Sequence, residues 1–445
     1  MINENIAAIS TGMVASGVAV IRISGDSPLD IAEKMFFPTG KTKVKDFEPY
    51  KMYVGEIRAD NFSDFGMCVY FKAPKSFTGE DIIEFHSHGG LAITQGILKK
   101  ILALGARLAT NGEFTKRAVL NGKLSLSSAE GLIDMINSES ESGVKAGYYL
   151  YREKLTEAVN QMQDLITDAL AQIDVDMDFP EEDLEQTSTE WVKNALEEVI
   201  GKIDALLSSF GKGRILKNGV RVGIVGKPNT GKSSLLNALL NYDKAIVSDI
   251  AGTTRDIVEG TIDINGVRFN FSDTAGIRES SDKIEELGVK LSKRILDESD
   301  LILFILDGSS VEKEDLEIYQ AVKDKNTIVA INKIDKGDCD FEGADIKISA
   351  LKKDNLQSLK DLIFDRTVGK NIDLSGDFLC EERHFNALTR AKEKFIMAKN
   401  AIGVVTLDML AIDVKDGWDA LGEISGKTAT EEIINDIFSK FCVGK

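Results

Sequence analysis

Proline is scarce, with 6 in 445 residues, and a chain that is 43% apolar and 28% charged is unsuited to long disorder or a fibrous repeat. Long apolar runs are missing as well. The longest, such as Leu301 to Leu306, fall far short of the ~20 residues that span a bilayer, which excludes a membrane-spanning role. The 4 cysteines, Cys68, Cys339, Cys380 and Cys442, show no metal or redox spacing. The opening segment has neither a signal nor a transit pattern, so a reducing, cytoplasmic location is expected. Histidine is so rare that no base is identifiable beside Cys442, which stands between a nucleophile, favoured by Lys445 nearby, and a helix-end packing residue. Basic residues are outnumbered 54 to 72, and the resulting charge of −18 opposes nonspecific adhesion to polyanions. A nucleic-acid partner would need a local basic patch.

The length predicts about three domains at roughly 150 residues each. From Val18 to Val119, short β-type runs starting at Val18, Met67 and Asp81 mix with Gly-rich breaks and one helical pattern, Leu91 to Leu104, which marks a compact α+β domain. Residues 91–123 carry Lys99, Lys100, Arg107, Lys116, Arg117 and Lys123 against Glu113 alone, either a solvated face or a site for an anionic ligand. The period then becomes helical, in Leu155, Val159, Met162, Ile166 and Leu170, and again in Val192, Leu196, Val199, Ile203, Leu206 and Phe210. A second helical block after Asp377 places Leu388, Phe395, Ile433, Ile437 and Phe441 on apolar faces. Between the two blocks, β-rich runs alternate with helices as in a doubly wound α/β unit, here inserted into one helical domain. The expected fold is therefore a multidomain α/β and α chain, divided at 1–120, 121–216, 217–370 and 371–445.

Two patterns invite a metal and are set aside. Asp174, Asp176, Asp178, Glu182 and Glu185 match a calcium-loop spacing, but Phe179 occupies the position where Gly makes the sharp turn, and an acidic helix-helix turn is expected instead. His86 and His88 have no Cys or further His nearby.

The strongest signal is Gly226-Lys-Pro-Asn-Thr-Gly231-Lys232-Ser233, between an apolar strand pattern and the helix pattern opened by Ser233-Ser234. In that context loop amides of Asn229, Thr230 and Gly231 wrap phosphates, Lys232 reaches the terminal ones, and the Ser233 hydroxyl meets Mg²⁺. Thr253-Thr254, Asp273-Thr274-Ala275-Gly276, Asn332-Lys333-Ile-Asp335 and Ser349-Ala350 follow in order. Asp335 can accept from both the ring N–H and the exocyclic amine of guanine, which makes GTP the nucleotide. Thr254 would complete the Mg²⁺ shell, Asp273 would hold it through water, and Gly276 would sense the γ-phosphate. The next residue, Ile277, stands where Ras-type enzymes place a water-orienting Gln, and an apolar side chain cannot replace it. Arg278, Glu279, Asp282, Glu285 and Glu286 are the candidates nearby, and the chemistry alone leaves them open.

Together with Gly252-Thr-Thr-Arg-Asp256, Ile21-Arg-Ile-Ser-Gly25, Thr78-Gly-Glu80, Gly112-Glu-Phe-Thr-Lys-Arg117, Asn121-Gly-Lys-Leu124 and Cys442-Val-Gly-Lys445, these residues resemble the MnmE (TrmE) family of tRNA-modification GTPases along the whole chain. The resemblance implies an N-terminal domain that dimerises and binds 5-formyltetrahydrofolate or a related one-carbon folate through Arg22, Glu80, Lys123 and Lys445, which gives the basic stretch a use. It implies K⁺ held by Asn229, Ser248, Ile250 and Thr253, with Asp249, Ala251 and Gly252 completing the nucleotide loop. It makes Glu285 the water-orienting group beside Lys232 as the catalytic residues. It further implies a homodimer working with an MnmG (GidA)-type flavoprotein, in a heterotetramer or larger complex, on the wobble uridine (position 34) of certain tRNAs. Two departures stand out: the segment Thr11 to Val20 lacks the family's run of Gly and Arg, and Ser87 replaces a common Cys. The competing expectation is a ribosome-assembly GTPase of the Era or EngA type, opposed by the acidic balance.

Overall fold

A computed structural model describes residues 4–178, 185–242, 260–273, 296–369 and 378–445, with side chains of 185–188, 241–242 and 273 excepted. The chain forms two compact units. The first comprises Met1–Ile133, Leu150–Lys202 and Ala387–Lys445, the second Asp134–Tyr149 and Ile203–Asn386.

In the first unit seven strands, β1 Ile6–Ile9, β2 Ser16–Gly25, β3 Phe36–Pro38, β4 Met52–Arg58, β5 Ser63–Phe71, β6 Asp81–Gly89 and β7 Arg107–Leu108, pair in the order β3-β4-β5-β6-β2-β1-β7. Period-two alternation sends Ile21, Ile23, Ile57, Cys68, Tyr70, Ile83 and Phe85 to one face, where Ile31 and Met35 of helix Pro28–Met35 and Ile97 and Ile101 of helix Leu91–Ala103 cover them. The register puts Arg22, Glu84, Val69 and Met52 in one cross-strand row on the opposite face. Phe37, Val54 and Phe65 share that face and are exposed, Val54 by 46% and Phe65 by 57%.

The basic stretch divides: Lys100, Arg107 and Arg117 are held by acids, while Lys116 and Lys123 donate instead to Asn435 and to the Pro74 carbonyl, respectively. Arg107 pairs with Glu113 at 2.7 Å and Glu4 at 2.9 Å, Arg117 with Glu80 and Glu113 at 3.1 Å, and Lys100 with Asp60 at 2.7 Å. Acids distant in sequence supply the balance that the local count lacked.

Helix Lys154–Asp178 packs along helix Leu407–Ser425, where the Gln163 side chain donates to the Trp418 carbonyl at 3.0 Å. The periodic residues Leu155, Val159, Met162 and Ile166 are buried as expected, but Ala169 takes the next core position and Leu170 is half-buried. Helix Glu185–Asn218 buries Val192, Leu196, Val199 and Ile203, while Leu206 and Phe210 are half-buried. Asp174, Asp176 and Asp178 lie in the final turns of an α-helix, and Phe179 and Glu182 of the same pattern lie outside the described residues, among which no metal-binding cluster occurs. His86 and His88 serve different carboxylates, Glu84 at 3.3 Å and Asp64 at 2.7 Å.

The second unit holds a doubly wound sheet of β8 Val220–Val225, β9 Gly260–Ile264, β10 Val267–Asp273, β11 Leu301–Asp307, β12 Thr327–Asn332 and β13 Ile346–Lys347, ordered β13-β12-β11-β8-β10-β9. All pairs are parallel except β9 with β10. Leu303, Ile305 and Ile328 pack under helices Lys232–Tyr242 and Leu356–Thr367, whereas Phe304, Leu306 and Val329 face helix Lys313–Val322. Runs such as β11 are apolar throughout because both faces are covered. Strand order reverses at β8, and ligands of such sheets bind beyond the carboxyl ends of strands at that point.

Candidate functional site

The Gly226–Ser233 loop leaves the carboxyl end of β8 and feeds helix Lys232–Tyr242. Asn229 has φ +64°, which an Asn tolerates, and Gly231 has φ +92°. A Cβ on Gly231 would overlap the Asn332 amide, so only glycine fits. The Lys232 side chain is buried, and its ammonium donates to the Gly226 and Lys227 carbonyls at 2.8 Å each. Buried charge requires such partners. Ser233 and Ser234 are exposed in the first turn of the helix, and Asp273 ends β10 opposite Ile224 of β8.

The second half of the site comes from β12 and the loop after β13. Asn332 is buried; its amide nitrogen donates to the Thr230 carbonyl at 2.9 Å, and its amide oxygen accepts from the Ala350 N–H at 3.0 Å. One side chain thus ties the phosphate-type loop to the Ser349-Ala350 loop. Lys333, at φ +66°, donates to the Asn229 carbonyl and to Asp307 at 2.7 Å. Burial alone would raise the Asp307 pKa, but the Lys333 ammonium and two Ser309 donors bring it down to about 2. The Ser349 hydroxyl donates to Asp335 at 2.6 Å and holds that carboxyl below its ordinary range, helped by Lys352 and Lys336. Asn229, Thr230, Gly231, Lys232, Asn332, Lys333, Asp335, Ser349 and Ala350 therefore converge. Chemically the arrangement offers helix-start amides and a lysine for a polyphosphate, and an ionised carboxylate for a base edge with adjacent donors.

A second cluster lies on the sheet of the first unit. Arg22 donates to Glu84 at 2.7 Å, and its guanidinium lies 5.4 Å from the Phe77 ring centre and 5.6 Å from that of Phe114. Burial pushes the Glu84 pKa up, but His86 and Arg22 together leave it lowered. Glu80 accepts from Ser24 at 2.7 Å and from Arg117 at 3.1 Å. Lys123 packs its stem near Gly79 and donates to the Pro74 carbonyl at 3.0 Å. The 74–80 loop thereby gathers Arg22, Glu80 and Lys123. The C-terminal segment docks on the same unit through the bridge between Val443 and Asn111, which carries Lys445 with it, and Cys442 is exposed.

Ser248, Asp249, Ile250, Ala251, Gly252, Thr253, Thr254, Thr274, Ala275, Gly276 and Glu285, with the other acids after Ile277, lie outside the described residues. Sequence reading missed Lys227, Asp307, Asp315, Glu84 and the two aromatic rings beside Arg22, all of which matter through partners far away in the chain. The one local signal was Lys227 inside the loop motif itself.

Comparison with known proteins gives the family. The family models "GTP-binding protein TrmE N-terminus" and "MnmE helical domain" match residues 5–123 and 126–442. The tRNA modification GTPase MnmE of Thermoanaerobacter pseudethanolicus is 39% identical over all of both chains, and that of Desulforamulus reducens 38% over all of both. Among solved structures, Aquifex aeolicus Era bound to GDP and an aluminium fluoride is 34% identical over 40% of this chain and 67% of that one, with a TM-score of 0.28. Full-length likeness thus runs to the tRNA-modifying enzymes and displaces the ribosome-assembly alternative. With a TrmE N-terminal domain, a helical domain and a P-loop G domain in one chain, this protein belongs to the MnmE family of tRNA modification GTPases.

Proposed function

We propose that the chain is a K⁺-dependent GTPase that, with an MnmG-type flavoprotein, adds a carboxymethylaminomethyl or aminomethyl group to wobble uridine 34 of certain tRNAs, using a one-carbon folate. The observation that carries the nucleotide part is Asn332, which knits the phosphate loop to the base loop so that Lys232 and Asp335 serve one ligand. Asn229 to Ser234, Ser248 to Thr254, Asp273 to Gly276, Asn332, Lys333, Asp335, Ser349 and Ala350 bind GTP. Ser233 and Thr254 hold Mg²⁺, whose role is to neutralise charge on the transferring phosphoryl group. Asn229, with the carbonyls of the 248–253 loop, holds K⁺, and Glu285 orients the attacking water.

Arg22, Glu80, Lys123 and Lys445 form the folate site. The residues present suit that ligand: a carboxylate for a pterin amide and amine, lysines for a glutamate tail, and the half-buried Phe77 for a flat ring. Because Arg107 and Arg117 are already paired with acids, the tail falls to Lys123 and Lys445 rather than to the whole basic stretch. The apolar face of Phe37, Val54 and Phe65 supports a homodimer through a second copy of this sheet, in a heterotetramer or larger complex with the flavoprotein. No helix among the described residues is long and apolar enough to cross a membrane, and we place the protein in the cytoplasm. We assign 1–120 to the folate domain, 121–216 and 371–445 to the helical domain, and 217–370 to the G domain. The test is a wobble-nucleoside profile of tRNA from cells with and without the gene. The aminomethyl-type nucleosides should vanish on deletion, and an unchanged profile rejects the reading.

A further inference from the structure

The ammonium of Lys227, inside the phosphate loop, lies 2.8 Å from Glu312 and 2.9 Å from Asp315. Asp315 is fully buried: its Oδ2 takes the Lys227 charge and the Glu312 N–H at 2.9 Å, and its Oδ1 has no hydrogen-bond partner. These two acids form a reciprocal capping box that opens helix Lys313–Val322. The same segment begins at Asp307, which receives Lys333 at 2.7 Å, and the Gly308 N–H donates to the Asn332 carbonyl at 2.7 Å. One short stretch is therefore fastened to the base loop at its start and to the phosphate loop at its end. On its other side, Lys227 is held through its backbone carbonyl, which accepts from Lys232 at 2.8 Å and from the Thr230 hydroxyl at 3.0 Å. Wherever Lys227 is pulled, the two residues that address the phosphates follow. A site of this kind works only while its donors converge on one point, which the short loop between Val225 and Lys232 does not secure unaided.

We propose that Asp307–Asp315 is a brace that sets the shape of the phosphate loop, with Lys227 as the positioning residue for nucleotide phosphates. The proposal rests on reading this loop as the GTP site. The brace acts through Lys227 on the phosphates and not on the base, which Asp335 addresses from a separate loop.

The test uses the full-length protein, a fluorescent GDP analogue, and competition by GDP and IDP, which differ only in the base. Lys227→Met should weaken GDP binding about tenfold, the scale of one charge-assisted hydrogen bond, and leave the preference for GDP over IDP unchanged. Lys227→Arg should restore binding to within about twofold. Asp315→Asn, which keeps its bond to the Glu312 N–H but loses the charge, should repeat the selective loss if Lys227→Met does not fold. GDP affinity that survives in both variants overturns the brace, as does a loss of base preference in step with affinity. A parent protein that prefers ADP to GDP refutes instead the nucleotide reading on which the brace stands.

Discussion

Single side chains decide what this site admits. Asp335 is oriented by the Ser349 hydroxyl at 2.6 Å, which holds its carboxyl below the usual range, and the proposed function gives it the base edge to read. An amide there can donate, so Asp335→Asn should lower GTP affinity by about a hundredfold and favour xanthosine triphosphate, on the scale of a polar group left unpaired. Competition binding with the two nucleotides measures this, and unchanged GTP preference would remove Asp335 from the base pocket. Residues of this kind were legible in the sequence because their chemistry and spacing are local. Lys227 and Asp315, 88 positions apart by number, were not: their pairing exists only once β8 and β11 lie side by side. Arg22 was readable as a cation but not as one held by Glu84, which reaches it across a strand pair.

Among the elements, the long helices were legible by period and misplaced in detail. Ala169 replaces Leu170 at the core, and Gly417 stands where a Cβ would overlap the Phe395 ring, since closely packed helices require small residues that hydrophobic periodicity does not score. No pattern announced the buried cluster in which Lys217, near the end of helix Glu185–Asn218, pairs with Asp134 at 2.8 Å and with Glu381. Burial, and then the negative charge of Glu381, raise the Asp134 pKa from 3.8 to about 8 against the pull of Lys217. Cys380 beside it is also pushed up, to about 12, by burial. The folded protein thus keeps a proton on Asp134 that the unfolded chain has released, so stability falls as pH rises through the window from 3.8 to about 8. Thermal unfolding followed across that range should show the decline. Asp134→Asn, whose amide mimics the protonated acid, should flatten it, and an unaltered slope would assign the decline to other groups.

For the molecule as a whole, period-two alternation marks the strands of the seven-stranded sheet but not which of its faces stays uncovered. That depends on where helices Pro28–Met35 and Leu91–Ala103 return, and both cover the Ile21 side. The opposite face leaves Phe65 57% exposed in a cross-strand row with Glu56 and Phe37, and Val54 is exposed on the same face two residues from Glu56. If a second copy covers it, Phe65→Glu should weaken self-association about tenfold or more while leaving the melting of the monomer nearly unchanged, since one buried aromatic anchor commonly contributes that much. Sedimentation at graded concentrations reads the outcome, and an intact dimer would move the interface elsewhere.

The bond from Gln163 to Trp418 joins residues 255 positions apart, and between them lie all six strands of the doubly wound sheet. Each sheet closes within its own stretch of chain, Ile6 to Leu108 and Val220 to Lys347, but the contact between helices Lys154–Asp178 and Leu407–Ser425 must wait for the far end of the chain. Loop closure of that length is slow and leaves apolar helix faces open in the interval. On a translating ribosome the seven-stranded sheet can be finished long before its neighbouring bundle, so the early half of that bundle is the stretch most in need of a chaperone.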